Sequence, residues 1–159
     1  MEISNSGTIL FRNTMRITDG HLDGFRHAVT QAVAFTQEHG PQLMVEVFID
    51  EERMLAHSFQ LYRDSDAVRT HWRLSDPYIR DVMEHCTVQH FEIFGEPDPD
   101  IVAALKTPDG GGFPFTVSPR LAGFNRLATP ARGHSQHPAH ECGDPAPRSR
   151  FSAGPACGG

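Results

Sequence analysis

Two polar residues interrupt otherwise apolar strand faces. In "TILFRNTMRI" (8–17), alternation sets Ile9, Phe11, Asn13, Met15 and Ile17 on one side. In "MLAHSFQLY" (54–62), the same reading sets Leu55, His57, Phe59 and Leu61 together. A neutral imidazole accepts a proton near physiological pH, and a carboxamide donates a hydrogen bond to a developing oxyanion. Asn13 and His57 are therefore the residues expected to carry acid–base work. A buried polar side chain without a partner costs about 1–3 kcal/mol, so each needs a neighbour, a water or a ligand. The plainer alternative is that the two satisfy each other, or a backbone group, inside an ordinary core.

A second stretch, "HWRLSDPY" (71–78), holds the one Trp of the chain, Trp72, and Tyr78 six residues later. An indole and a phenol combine apolar bulk with a polar tip, which suits a domain core or a pocket for a flat aromatic ligand. Val82 and then His85 follow Tyr78 on its helix face, while Phe11 and Phe59 flank the two polar strand residues. His90 is set aside as a base, because it alternates with Glu92 and Phe94 on the face opposite Phe91 and Ile93.

The elements that must position these residues are legible from period and punctuation. After the first strand, Leu22, Phe25, Val29 and Ala32 or Val33 recur at helical spacing until Gly40-Pro41. "LMVEVFI" (43–49) and 54–62 read as a hairpin across the acidic turn Asp50-Glu51-Glu52. Asp64 or Ser65 caps a helix to about Leu74, and Asp76-Pro77 opens another that ends near His85. "TVQHFEIF" (87–94) is a fourth strand, and Asp98-Pro99 opens a short helix to about Lys106. After a Gly-rich turn, "FPFTVSPRLAGFNR" suggests an edge strand and an apolar anchor at Leu121 and Phe124.

This order predicts an α+β class fold: a ferredoxin-like split β-α-β antiparallel sheet with its helices on one face. The other face is read as half apolar, with Leu10, Met44, Phe48, Met54, Ala56 and Tyr62 among Arg12, Arg16, Glu46 and Gln60. Such a patch is large to leave in water, and back-to-back pairing of two sheets predicts a homodimer. The domain is assigned to 1–127, with its core at 8–106. Residues 128–159, rich in Pro, Gly, Ser and Ala, are expected to be disordered. Within that tail "HSQHPAHEC" gathers His134, His137, His140 and Cys142, but Pro138 prevents a helix that would align them, so no designed metal site is expected.

Composition narrows the function further. The formal charge is −6, and the positive charge is thirteen Arg and one Lys without a basic run, which speaks against nucleic acid as a partner. No apolar stretch reaches the ~20 residues needed to cross a bilayer and no signal peptide is visible, so the expectation is a cytoplasmic protein away from membranes. The three cysteines are odd in number and lack CxxC spacing, which is neither a disulfide framework nor a zinc knuckle.

Residues 8–95, and "YRDSDAVRTHWRLSDPY" in particular, resemble the antibiotic biosynthesis monooxygenase family of dimeric α+β barrels. The resemblance implies oxidation of a phenolic, quinol or anthrone-like aromatic by O2 with no metal or organic cofactor, in a cleft between sheet and helices. It also implies that Trp72 and Tyr78 face the ligand. On that reading His57 takes the phenolic proton and Asn13 steadies the oxyanion. One departure is Val68, one turn before the Trp, where polyketide-oxidising members carry Asn. Haem-degrading relatives pair a first-strand Asn and this Trp with a His ten residues later. Asn13 and Trp72 match, but the tenth residue is Val82, with His85 nearly one turn further on. A non-enzymatic dimeric binding module and a polyketide cyclase on the same scaffold are the remaining alternatives.

Overall fold

Alternation in the first strand sets the inside of the domain. In the computed structural model, residues 7–106 and 112–127 are described. The tail at 128–159, with its His-rich run, lies outside them. β1 (Ile9–Ile17) buries Ile9, Phe11, Met15 and Ile17, as their period-2 spacing requires. It is followed by α1 (Leu22–His39), β2 (Met44–Asp50), β3 (Leu55–Tyr62), α2 (Ser65–Met83), β4 (Cys86–Phe94), α3 (Pro99–Lys106) and β5 (Phe115–Ser118).

The sheet order is β2-β3-β1-β4-β5, antiparallel except for the parallel β4–β5 pair. Its first four strands are the ferredoxin-like arrangement, and the expected edge strand adds a fifth. α1 and α2 lie over one face. α1 directs Phe25, Ala28 and Thr36 inward, and α2 directs Val68, His71 and Ser75. The core has two parts. One gathers Ile9, Phe11, Tyr62, Val68, Phe91, Ile93, Ile101 and Leu105; the other gathers Met15, Ile17, Phe25, Ala56 and Cys86.

Three expectations are corrected. Residues 65–83 form one continuous helix rather than two. Asp64 caps it, accepting from the Ala67 N–H at 2.8 Å, and Pro77 sits inside it. Pro77 and Arg73, four residues earlier, are both exposed, so water can serve the carbonyl that the missing N–H leaves free.

The second correction is the parity of β3. Asn13 stands opposite Ser58, whereas Thr14 stands opposite His57. Ala56, Ser58, Gln60 and Tyr62 therefore face the helices, and Leu55, His57, Phe59 and Leu61 face the other way. A one-residue error in a period of two moves every side chain to the opposite face.

Third, Leu121 and Phe124 anchor nothing, being 99% and 77% exposed. α3 is instead held by Arg69, whose guanidinium reaches Asp66 on its own helix and both Asp98 and Asp100 at the start of α3, each at 2.6 Å.

Candidate functional site

Between the sheet and α1 and α2 lies a cavity of about 500 Å³, within the range of small-molecule sites. β1 contributes Phe11, Asn13 and Met15; β2 Val45 and Val47; β3 Ser58, Gln60 and Tyr62. α1 adds Val29, Ala32, Val33 and Thr36, and α2 adds His71, Trp72, Ser75, Tyr78 and Val82. The cavity exists because β3 presents small and polar residues inward where large apolar ones would fill it. Tyr78 stacks on Phe35 of α1, with ring centroids 4.3 Å apart and planes 22° apart. Asp76 and Arg80, paired at 2.8 Å and exposed, line its rim.

Of the residues singled out from sequence, Asn13, Phe11, Trp72, Tyr78 and Val82 meet in this cavity. Asn13 occupies the central strand, opposite Ser58 on one side and Phe91 on the other, next to a β-bulge between Thr14 and Met15. Its Oδ1 is buried with no hydrogen-bond partner among the described residues. Val68, where the resemblance shows a departure, is wholly buried in the core.

His57, Phe59 and His85 are not brought there. His57 lies on the opposite sheet face, where its Nδ1 is 3.3 Å from Thr14 Oγ1. Phe59, on that same face, lies beneath the Arg12 guanidinium at 5.9 Å and packs edge-on against Phe48. His85, in the turn after α2, meets His21 Nδ1 to Nδ1 at 3.0 Å and fills the space beside Gly24. The cavity thus takes Val82 where haem-degrading relatives need a histidine ligand, and His85 is committed elsewhere. The histidine position of the haem-degrading relatives is therefore not reproduced.

One residue missed from sequence is the histidine beside the tryptophan. His71 is 7% exposed, and its Nδ1 lies 2.7 Å from Gln42 Nε2 and 3.0 Å from Ser75 Oγ. Gln42 Nε2 also donates to Gln60 Oε1 at 3.2 Å, and the Tyr62 hydroxyl donates to that same oxygen at 2.6 Å. Burial lowers the pKa of His71 from 6.5 to about 4 and raises that of Tyr62, so both are neutral in the physiological range. The signal available in sequence was helix phase. Val68, His71, Ser75, Tyr78 and Val82 recur at spacings of three and four, which places His71 and Ser75 on the inward face. Gln42 carried no such signal, since it sits in the turn between α1 and β2.

A ferredoxin-like sheet of four strands, extended by a fifth and roofed by two helices over a cavity, defines an α+β fold. Among solved structures the chain is similar to MupZ from Pseudomonas fluorescens, at 14% identity and TM-score 0.59 over 78% of this chain and 98% of that one. It is also similar to Rv0793 from Mycobacterium tuberculosis, at 14% identity and TM-score 0.50 over 58% and 97%. SnoaB, a cofactor-independent oxygenase from Streptomyces nogalater, is similar at 14% identity and TM-score 0.49 over 57% and 94%. At such identities the likeness is one of fold. No protein-family profile matches the chain, and no curated protein matches it. No helix among the described residues is long and apolar enough to cross a membrane.

Proposed function

We propose that the chain is a cofactor-independent monooxygenase of a phenolic, quinol or anthrone-like aromatic, acting as a homodimer. The observation that carries this reading is the cavity itself: its walls are largely apolar and aromatic, and Asn13, with an unpartnered Oδ1, stands on its floor. Trp72 and Tyr78 hold the ring and keep water from it. The ionised substrate passes an electron to O2, and recombination forms a carbon–oxygen bond. Where a methylene carbon becomes a carbonyl, its two hydrogens leave with the second oxygen atom as water, so O2 is the sole oxidant. Asn13 Nδ2 donates to the substrate oxyanion as its charge develops. With His57 on the other face, the proton departs by the rim, where Asp76 is the one lining carboxylate among the described residues.

Oxygen uptake with a panel of hydroquinones and anthrones tests this. Turnover should require Asn13, with Asn13→Ala lowering kcat by about two to three orders of magnitude, the effect of removing one oxyanion donor. A second reading, a binding module without catalysis, is favoured by the lack of an ionised base deep in the cavity among the described residues. Tight ligand binding without oxygen uptake would select it.

A further inference from the structure

The polar corner of the cavity has a fixed sense of hydrogen bonding. A carboxamide nitrogen can only donate, so Gln42 Nε2 at 2.7 Å obliges His71 Nδ1 to accept. Ser75 Oγ at 3.0 Å donates to the same nitrogen. Gln60 is oriented by the same logic, since its Oε1 receives both Gln42 Nε2 and the Tyr62 hydroxyl. The ring hydrogen of a neutral His71 must then sit on Nε2, and Nε2 has no hydrogen-bond partner among the described residues. His71 is itself 7% exposed and lines the cavity.

We infer that His71 is a specificity residue whose Nε2–H binds a carbonyl oxygen conjugated to the ligand's aromatic ring, so that the cavity selects aryl ketones over the corresponding hydrocarbons. The inference rests on the small-molecule reading of the cavity. A donor of fixed sense needs a lone pair from the ligand. A carbonyl supplies one, whereas the corresponding hydrocarbon has none. Nδ1 is already engaged by Gln42 Nε2 and Ser75 Oγ, while Gln42 Oε1, turned toward Gly40, and Asn13 Oδ1 have no hydrogen-bond partner among the described residues. The low pKa of the ring keeps this donor uncharged, which suits a neutral oxygen.

The test uses the full chain and two ligands of nearly equal shape, 1-tetralone and tetralin. Both are titrated against the fluorescence of Trp72, the only indole in the protein. Tetralone should bind about tenfold tighter, a ratio equivalent to about 1.4 kcal/mol, in the range of one hydrogen bond. His71→Phe should bring the ratio close to one while leaving tetralin affinity within about twofold. Long-range proton–nitrogen NMR of the 15N-labelled wild type should show His71 as the Nε2–H tautomer. This readout stands even where the variant fails to fold. Equal affinities, a ratio that survives His71→Phe, or an Nδ1–H tautomer overturns the inference and leaves the oxygenase reading standing. If neither ligand binds while the tautomer is as stated, the cavity reading falls and the inference with it.

Discussion

Tyr78 on α2 stacks on Phe35 of α1 with ring centroids 4.3 Å apart, joining the two helices that roof the cavity. Such a pair contributes about 0.5–1.5 kcal/mol beyond the area it buries. Tyr78→Phe keeps the stack and should leave thermal stability unchanged. Tyr78→Ala should lower stability by about 1–3 kcal/mol and raise KM more than it lowers kcat, because it unpins the roof without touching the reacting atoms. Thermal melts alongside steady-state kinetics of the two variants measure both effects.

His57→Ala should leave turnover and ligand affinity intact. The ring lies on the face away from the cavity and loses one half-buried hydrogen bond, to Thr14, so the stability change should stay within about 1 kcal/mol. A hundredfold fall in kcat would place His57 in the chemistry after all.

The reason His57 read as a site residue shows where sequence reasoning succeeds and stops here. In β1, four large apolar residues lie on one side against Leu10, Arg12, Thr14 and Arg16 on the other, and hydrophobic burial alone fixes which side is inside. In β3 that rule points the wrong way, because Leu55, Phe59 and Leu61 outweigh Ala56, Ser58 and Gln60 in apolar bulk. The smaller, more polar set faces inward because it borders empty volume, and a cavity is a property of several elements together that no single strand encodes. The helices were legible by phase and caps, but Pro77 read as a start because its tolerance depends on exposure. Asn13, Trp72 and Tyr78 were legible as residues facing the cavity. His71 was not, since its neighbour Trp72 drew the reading of that turn.

Acid should destabilise the domain through His71. Its pKa falls from 6.5 to about 4 on folding, so between those values the unfolded chain binds a proton that the folded domain excludes. The contribution is absent above pH 6.5 and grows as pH falls, reaching on the order of 3 kcal/mol of lost stability below pH 4. His71→Gln should therefore gain on wild type as pH drops. Urea midpoints for both proteins at about pH 7.5 and about pH 5 read this difference; a gap independent of pH would contradict a buried neutral ring.

Gly40→Ala should loosen the corner that orients His71. A Cβ at this position would lie 2.6 Å from Gln42 Oε1 and 2.7 Å from the Thr36 carbonyl oxygen, and the carbonyl cannot rotate away. A loss of about 1–3 kcal/mol is expected, together with weaker ligand binding as Gln42 leaves Nδ1. Denaturation and fluorescence titration on one preparation test both.

The proposed homodimer would use the sheet face that carries Phe48, 56% exposed, together with Phe59 and Leu61. Phe48→Asp should shift sedimentation toward monomer at micromolar concentration. Wild type that sediments as a monomer there would rule the homodimer out.

The last strand bears on how such an assembly can form. β5 is four residues long and is bracketed by Pro114 and Pro119. Neither proline has an amide hydrogen to offer a newcomer, and four residues present too few groups to template a further strand. β5 thereby shields the longer β4 from joining another chain's ladder, a route to runaway fibrous growth. With this rim guarded, the proposed homodimer is left the broad face of the sheet, where pairing of two copies would close the assembly.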